Sequence, residues 1–125
     1  MKNVGQTKSI NQTNQEVKMG ELQLSTTNNV NGTSLKGEIN CRFSTLVNAF
    51  GKPNDEYDDY KSDAAWRGKI NGVVFTIYNW KNGKNYLGSQ GKDVDDITCW
   101  HIGGYNNDAV AAVKAYILQE TNKEV

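Results

Sequence analysis

Only two cysteines, one proline and one histidine occur in the 125 residues, and fourteen lysines and arginines are matched by fourteen aspartates and glutamates. Each scarcity removes a class of function. Cys41 and Cys99 are far apart and form neither a CxxC metal knuckle nor a dense secreted disulfide framework, so they read as buried thiols of a reducing compartment. Zero net charge excludes the broad positive field that drives generic binding to DNA, RNA or a membrane surface. Any anionic ligand has to be held by local geometry. No stretch approaches the roughly 18 to 20 apolar residues that cross a bilayer, and the first residues carry no apolar leader core. The expectation is a soluble, non-exported protein. With His101 as the only histidine and no GxSxG, HExxH, GxxxxGK[ST] or post-strand GxGxxG pattern, the familiar catalytic and phosphate-cradling motifs are missing. No catalysis, cofactor or metal is expected. His101 beside Trp100 in a strand reads as structural. Asp55, Glu56, Asp58, Asp59 and Asp63 lack EF-hand spacing and read as a solvated acidic loop.

The chain length fits one domain that closes its own core. Residues 1–19 are rich in Asn, Gln, Lys and Thr and bury too little to offset ordering entropy, so they are expected to form a flexible arm ahead of a single α+β ligand-binding domain over 20–125. Leu22 and Leu24 alternate in a short strand, and the Asn28, Asn29, Asn31, Gly32 cluster predicts a turn that makes a hairpin with the next strand. In that strand, Ser34 to Cys41, alternation puts Leu35, Gly37, Ile39 and Cys41 on one face. Phe43, Leu46, Val47 and Phe50 recur at helical spacing, with Gly51 placed to end the helix and Pro53 just beyond. Asn71-Gly72 is a type I′ hairpin signal between strands Ala64–Ile70 and Val73 to Asn79 or Trp80. A strand over Ile97–Ile102 follows, and Asn106 or Asn107 caps a last helix with Val110, Val113 and Ile117 on its apolar face. The connections are too short for most parallel crossovers. The expected fold is a small antiparallel sheet with two helices packed on one face.

Binding chemistry concentrates between Phe75 and Tyr86, where F-T-I-Y-N-W-K-N-G-K-N-Y sets aromatic rings, carboxamides and lysines at a strand end and its following loop. Rings stack on a base, amides read its edge or ribose hydroxyls, and cations meet phosphate. Strand parity nevertheless groups Phe75 with Val73 and Ile77 in a core row, opposite Thr76, Tyr78 and Trp80. Asn79, Asn82 and Asn85 read as ordinary turn residues. The amphipathic last helix and the tyrosine-rich surface exceed what one small sheet covers, which predicts a homo-oligomer with a dimer as its unit.

The segments G-K-P after a short helix, D-Y-K-S-D-A-A-W, V-V-F-T-I-Y-N-W-K-N-G-K-N-Y-L-G, D-V-D-D-I-T and W-H-I-G-G, spread over Leu46 to Gly104, resemble the first-described type of Thoeris anti-defence protein carried by phages and prophages. The resemblance covers nearly half of the chain. It implies a protein of the host bacterial cytoplasm that sequesters glycocyclic ADP-ribose signals made by TIR-domain proteins without cleaving them. It further implies a capacity for cyclic oligonucleotides at a separate site and an assembly as large as a hexamer. The family's ligand-contacting Phe and Asn match Phe75 and Asn85, which turns Phe75 from core residue to stacking face. Tyr78, Trp80, Lys84, Tyr86 and Arg67 complete the candidate set. The C-terminal arginines of relatives have no counterpart, because no arginine follows Arg67. Phosphate binding then falls to Lys84, Arg67, other lysines or backbone groups. Two readings of other classes stand beside this one: a phosphodiesterase or lyase that destroys such a signal, and a phage structural protein with no ligand.

Overall fold

The computed structural model describes residues 21–25, 30–55 and 60–125. The expected arm over 1–19, the turn residues Asn28 and Asn29, and Glu56, Tyr57, Asp58 and Asp59 of the acidic loop lie outside the described residues. The elements run β1 (Leu22–Leu24), β2 (Ser34–Asn40), α1 (Phe43–Phe50), β3 (Ala65–Ile70), β4 (Val73–Tyr78), a one-turn helix α2 (Lys84–Leu87), β5 (Cys99–Gly104) and α3 (Asp108–Thr121), with short 3-10 turns between α2 and β5. The strands form one sheet in the order β1-β3-β4-β5-β2 with every pair antiparallel. α1 and α3 pack against each other, and α3 lies across β2, β4 and β5. This is the α+β arrangement expected, a small antiparallel sheet with two helices on one face.

The Asn71-Gly72 turn forms as its chemistry requires. Asn71 has φ 50° and Gly72 φ 82°, and the flanking register sets Ile70 opposite Val73 and Ala65 opposite Tyr78. α1 ends at Gly51, whose φ of 83° lets its N–H reach the Val47 carbonyl at 2.7 Å. At the start of α3 the side chain that accepts is that of Asn106, from the Asp108 N–H at 2.8 Å, while Asn107 makes no side-chain cap bond.

Two local expectations are corrected. β1 does not form a hairpin with β2. It pairs with β3, Leu22 opposite Ile70 and Leu24 opposite Gly68, so β1 and β2 occupy opposite edges of the sheet. Gly68 permits this pairing, because a Cβ there would collide with the Gln23 backbone. In β2 the simple alternation breaks between Leu35 and Gly37, where the register against β5 slips by one residue. The slip leaves Leu35 51% exposed while Ile39 is buried.

Parity in β3, β4 and β5 decides the core. Trp66, Phe75, Ile77, Trp100 and Ile102 are fully buried under the helices, together with Leu46, Val113 and Ile117. Trp66 meets Trp100 edge-on at 5.7 Å, and Phe43 covers both. Each indole also donates a hydrogen bond to a flank of α1, Trp66 Nε1 to the Gly51 carbonyl at 2.9 Å and Trp100 Nε1 to the Cys41 carbonyl at 3.0 Å. The helix is therefore tied to the sheet at both ends. Its apolar stripe completes the seal where Phe50 lies 5.5 Å from Phe75 and 5.1 Å from Tyr116. α3 spends Ala109, Val113, Tyr116 and Ile117 inside the chain, so its amphipathic face does not by itself call for a second subunit.

Phe75→Ala would empty space beneath Phe50, and loss of a buried Phe costs about 3 to 5 kcal/mol. Urea denaturation should read that loss. A cost under about 1 kcal/mol would contradict the placement of this ring in the core.

Candidate functional site

The β3–β4 hairpin has its turn at one end and a chemically richer end at the other. Because Ala65 pairs with Tyr78, the residues just before β3 lie alongside those just after β4. Asn79 joins the two segments. Its side chain is fully buried and uses every hydrogen-bonding position: Oδ1 accepts from the N–H groups of Asp63 at 2.7 Å and Ala64 at 3.1 Å. Nδ2 donates to Asp63 Oδ1 at 3.0 Å and to Asn82 Oδ1 at 2.9 Å. The Asn79 carbonyl accepts from the Ser62 hydroxyl at 2.7 Å. Two residues further, the Lys81 N–H reaches the Lys61 carbonyl at 2.8 Å, with Lys81 in the left-handed region at φ 62°.

Asp63 holds the start of α2. Its Oδ2 accepts from the Asn85 N–H at 3.2 Å, and its carboxylate sits where a Cβ on Gly83 would have to be. Asp63 is thus a structural acceptor and no part of a solvated acidic loop. Among the described residues no three His, Cys, Asp or Glu side chains are grouped to hold a metal ion.

Around this clip the exposed rings and cations form a strip. Tyr60, 62% exposed, lies 5.3 Å from the Tyr86 ring on α2. Lys81 Nζ stands 5.3 Å from the Tyr86 centroid and 5.6 Å from that of Trp80, which Lys61 Nζ approaches at 5.3 Å. Trp80 is 37% exposed and meets Tyr78 edge-on at 6.0 Å. Tyr78 continues onto the face of the sheet opposite α1 and α3, where His101, its partner on β5, lies edge-on at 5.5 Å. Beyond it His101 Nε2 is 3.5 Å from Glu38 Oε2, and the Cys99 thiol is 3.6 Å from Glu38 Oε1. Burial raises the Tyr78 hydroxyl pKa. Burial, then the nearby Glu38 carboxylate, raises that of Cys99. Both are protonated at neutral pH. Cys41, packed against the core, is pushed by burial up to about 11.

The structure brings Tyr78, Trp80 and Tyr86 into one strip and gives the other sequence candidates different roles. Phe75 is fully buried in the core and presents no ring face to a ligand, so the stacking role that the resemblance implied for it does not fit this geometry. Two-residue alternation explains this, since Phe75 and Tyr78 lie on opposite faces of β4. Asn85 donates its amide to the Ser62 carbonyl at 3.1 Å, which makes it a loop-closing residue whose replacement would disturb the strip itself. Lys84 forms a 2.7 Å ion pair with Asp93, which raises its pKa through the hydrogen bond and the charge. Arg67 lies on the face opposite α1 and α3 with its Nε 3.7 Å from Asp55.

Tyr60, Lys61, Lys81 and Asn79 were missed as site residues, and the Asn71-Gly72 turn contained the signal for the first two. Counting outward from a two-residue turn puts 60–64 beside the residues that follow Tyr78. For Asn79 the signal is strand parity, which continues the inward row of Val73, Phe75 and Ile77 to position 79 but does not name the partners of its carboxamide.

Lys81→Gly tests whether Lys81 is a functional cation. Glycine removes the left-handed cost of roughly 1 kcal/mol while giving up backbone entropy and cation–π contacts of similar size. Thermal denaturation should show stability within about 1 kcal/mol of wild type, a difference that does not separate folded from unfolded populations. A much larger loss would make Lys81 a structural residue. Comparison of the chain with protein-family models, curated proteins and solved structures finds no match.

Proposed function

We propose that this protein captures a nucleotide-like signal of the glycocyclic ADP-ribose class and holds it intact, acting in a host bacterial cytoplasm as a phage anti-defence protein that blocks Thoeris immunity. The observation that carries this reading is the continuous strip from Tyr60 and Tyr86 through Lys81, Lys61 and Trp80 to Tyr78. Its rings offer stacking faces to a base, and Lys81 sets a cation beside two of them for phosphate, in a chain whose overall field is neutral. Lys81 takes the place of Lys84 and Arg67 as the phosphate-binding group in this reading. Cyclic oligonucleotides have the same two chemical features and belong to the same proposal. A homo-oligomer built from dimers, up to a hexamer, rests on the family resemblance.

A second reading, cleavage of the signal by a phosphodiesterase or lyase, draws on the His101–Glu38 pair. An imidazole beside a carboxylate at the end of a ligand strip is the arrangement of a general base and its orienting group. The two readings differ in their products. After incubation with glycocyclic ADP-ribose, removal of unbound ligand and heat release, mass analysis should return the intact molecule. Fragments that disappear in His101→Ala would establish the second reading, and no ligand of either kind would leave a structural protein.

Trp80→Ala should weaken binding by the roughly 1 to 3 kcal/mol of one stacked base, about five- to 150-fold. Because Trp80 is partly exposed and outside the core cluster, melting should change little. Wild-type affinity in this variant by calorimetry would remove Trp80 from the site.

A further inference from the structure

The strip is assembled from two segments that flank the β3–β4 hairpin and lie beyond its last ladder pair. Tyr60 and Lys61 come from the approach to β3, whereas Trp80, Lys81 and Tyr86 come from the loop and helix after β4. Ladder hydrogen bonds end at the Ala65–Tyr78 pair, so something else has to set the spacing beyond it. We infer that the Asn79 carboxamide is the positioning residue of the strip, holding the Tyr60–Lys61 segment against the Trp80–Tyr86 segment through its reciprocal pattern with Asp63. This inference rests on the binding reading above only for its functional consequence.

Donor and acceptor positions leave no alternative arrangement. Two backbone N–H groups point at one end of the carboxamide, which fixes that end as oxygen, and two side-chain oxygens, from Asp63 and Asn82, face the other, which fixes it as nitrogen. All four positions are filled inside a site closed to water, where an unmatched group is costly. Each partner is in the strip's supporting loops. Asp63 directs its second oxygen to the Asn85 N–H at the start of α2, one residue before Tyr86. Asn82 lies next to Lys81 in sequence, and its carbonyl accepts from the Lys92 N–H at 3.1 Å, so the clip extends to the segment that returns toward β5. The left-handed Lys81 is then held by constraint on both sides, from Asn79 and from the bond to Lys61.

Asn79→Asp keeps the shape and the oxygen that accepts from Asp63 and Ala64 but removes both N–H donors and sets a second carboxylate against Asp63. Adding Asp63→Asn restores one donor between the two side chains, now running from position 63 to position 79, and removes the like-charge pair. Ring-to-ring proton NMR contacts between Tyr60 and Tyr86 report the strip, and those between Phe50 and Tyr116 report the core. In Asn79→Asp the strip contacts should vanish while the core contacts remain, and in the double variant the strip contacts should return. Affinity for glycocyclic ADP-ribose should fall roughly tenfold or more in the single variant, on the scale of losing a stacked ring, and recover in the double variant. Retention of the Tyr60–Tyr86 contacts in Asn79→Asp overturns the inference. If the single variant fails to fold, the double variant decides: folding with the ring contacts restored supports the clip, and failure to restore either overturns it. Ring contacts are read without ligand, so a wild-type protein that shows them and binds no nucleotide overturns the binding reading and leaves the positioning role standing.

Discussion

Successive side chains of a strand point to opposite faces, and among the described residues the helices α1 and α3 cover one face of the central sheet. The rest of the architecture follows from that asymmetry. On the covered face the strands present Trp66, Phe75, Ile77, Trp100 and Ile102, and the two indoles are oriented so that their N–H groups close the backbone at both flanks of α1. A buried indole needs a partner for its donor, and here the partner is the carbonyl that a helix end leaves over. Hydrophobic burial and hydrogen-bond satisfaction therefore act on the same residues. The opposite face carries Arg67, Thr76, Tyr78, Cys99 and His101, polar or amphipathic groups that accept partial exposure.

The strip at the end of the β3–β4 hairpin is built where the sheet stops providing order. Polar contacts take over from the ladder, and they are concentrated on Asn79 and Asp63. Glycine contributes by its lack of volume: Gly83 leaves room for the Asp63 carboxylate, and Gly91 lies so close to the Gly83 backbone that a side chain there would collide. Such a loop is rigid without being apolar, which suits a surface that has to hold rings and cations at fixed spacing while remaining open to solvent.

Neutral overall charge makes local pairing decisive. Lys84 is matched by Asp93 and Arg67 by Asp55, and Lys81 stands over the Trp80 and Tyr86 rings. A cation over a ring remains partly hydrated and available to a phosphate, because the ring quadrupole is a weaker competitor than a carboxylate.

Sequence alone determined the class of fold, the β3–β4 hairpin and both core helices, because these depend on local periodicity and on turn residues with positive φ. It also determined that Phe75 belongs with Val73 and Ile77, a parity statement that held against the stacking role implied by resemblance. Tertiary structure decided what periodicity does not encode. β1 joined β3 at the far edge because partner choice between strands is a property of the whole sheet, and Leu35 faced outward because a one-residue slip in β2 reverses the side of everything beyond it. Asn79, read in sequence as one of several turn asparagines, became the centre of the site's hydrogen bonding because residues 62–64, far back in the chain, bring the matching donors and acceptors to it. Burial of a carboxamide is favourable only when all its positions are filled, and only the folded chain assembles the partners that fill them.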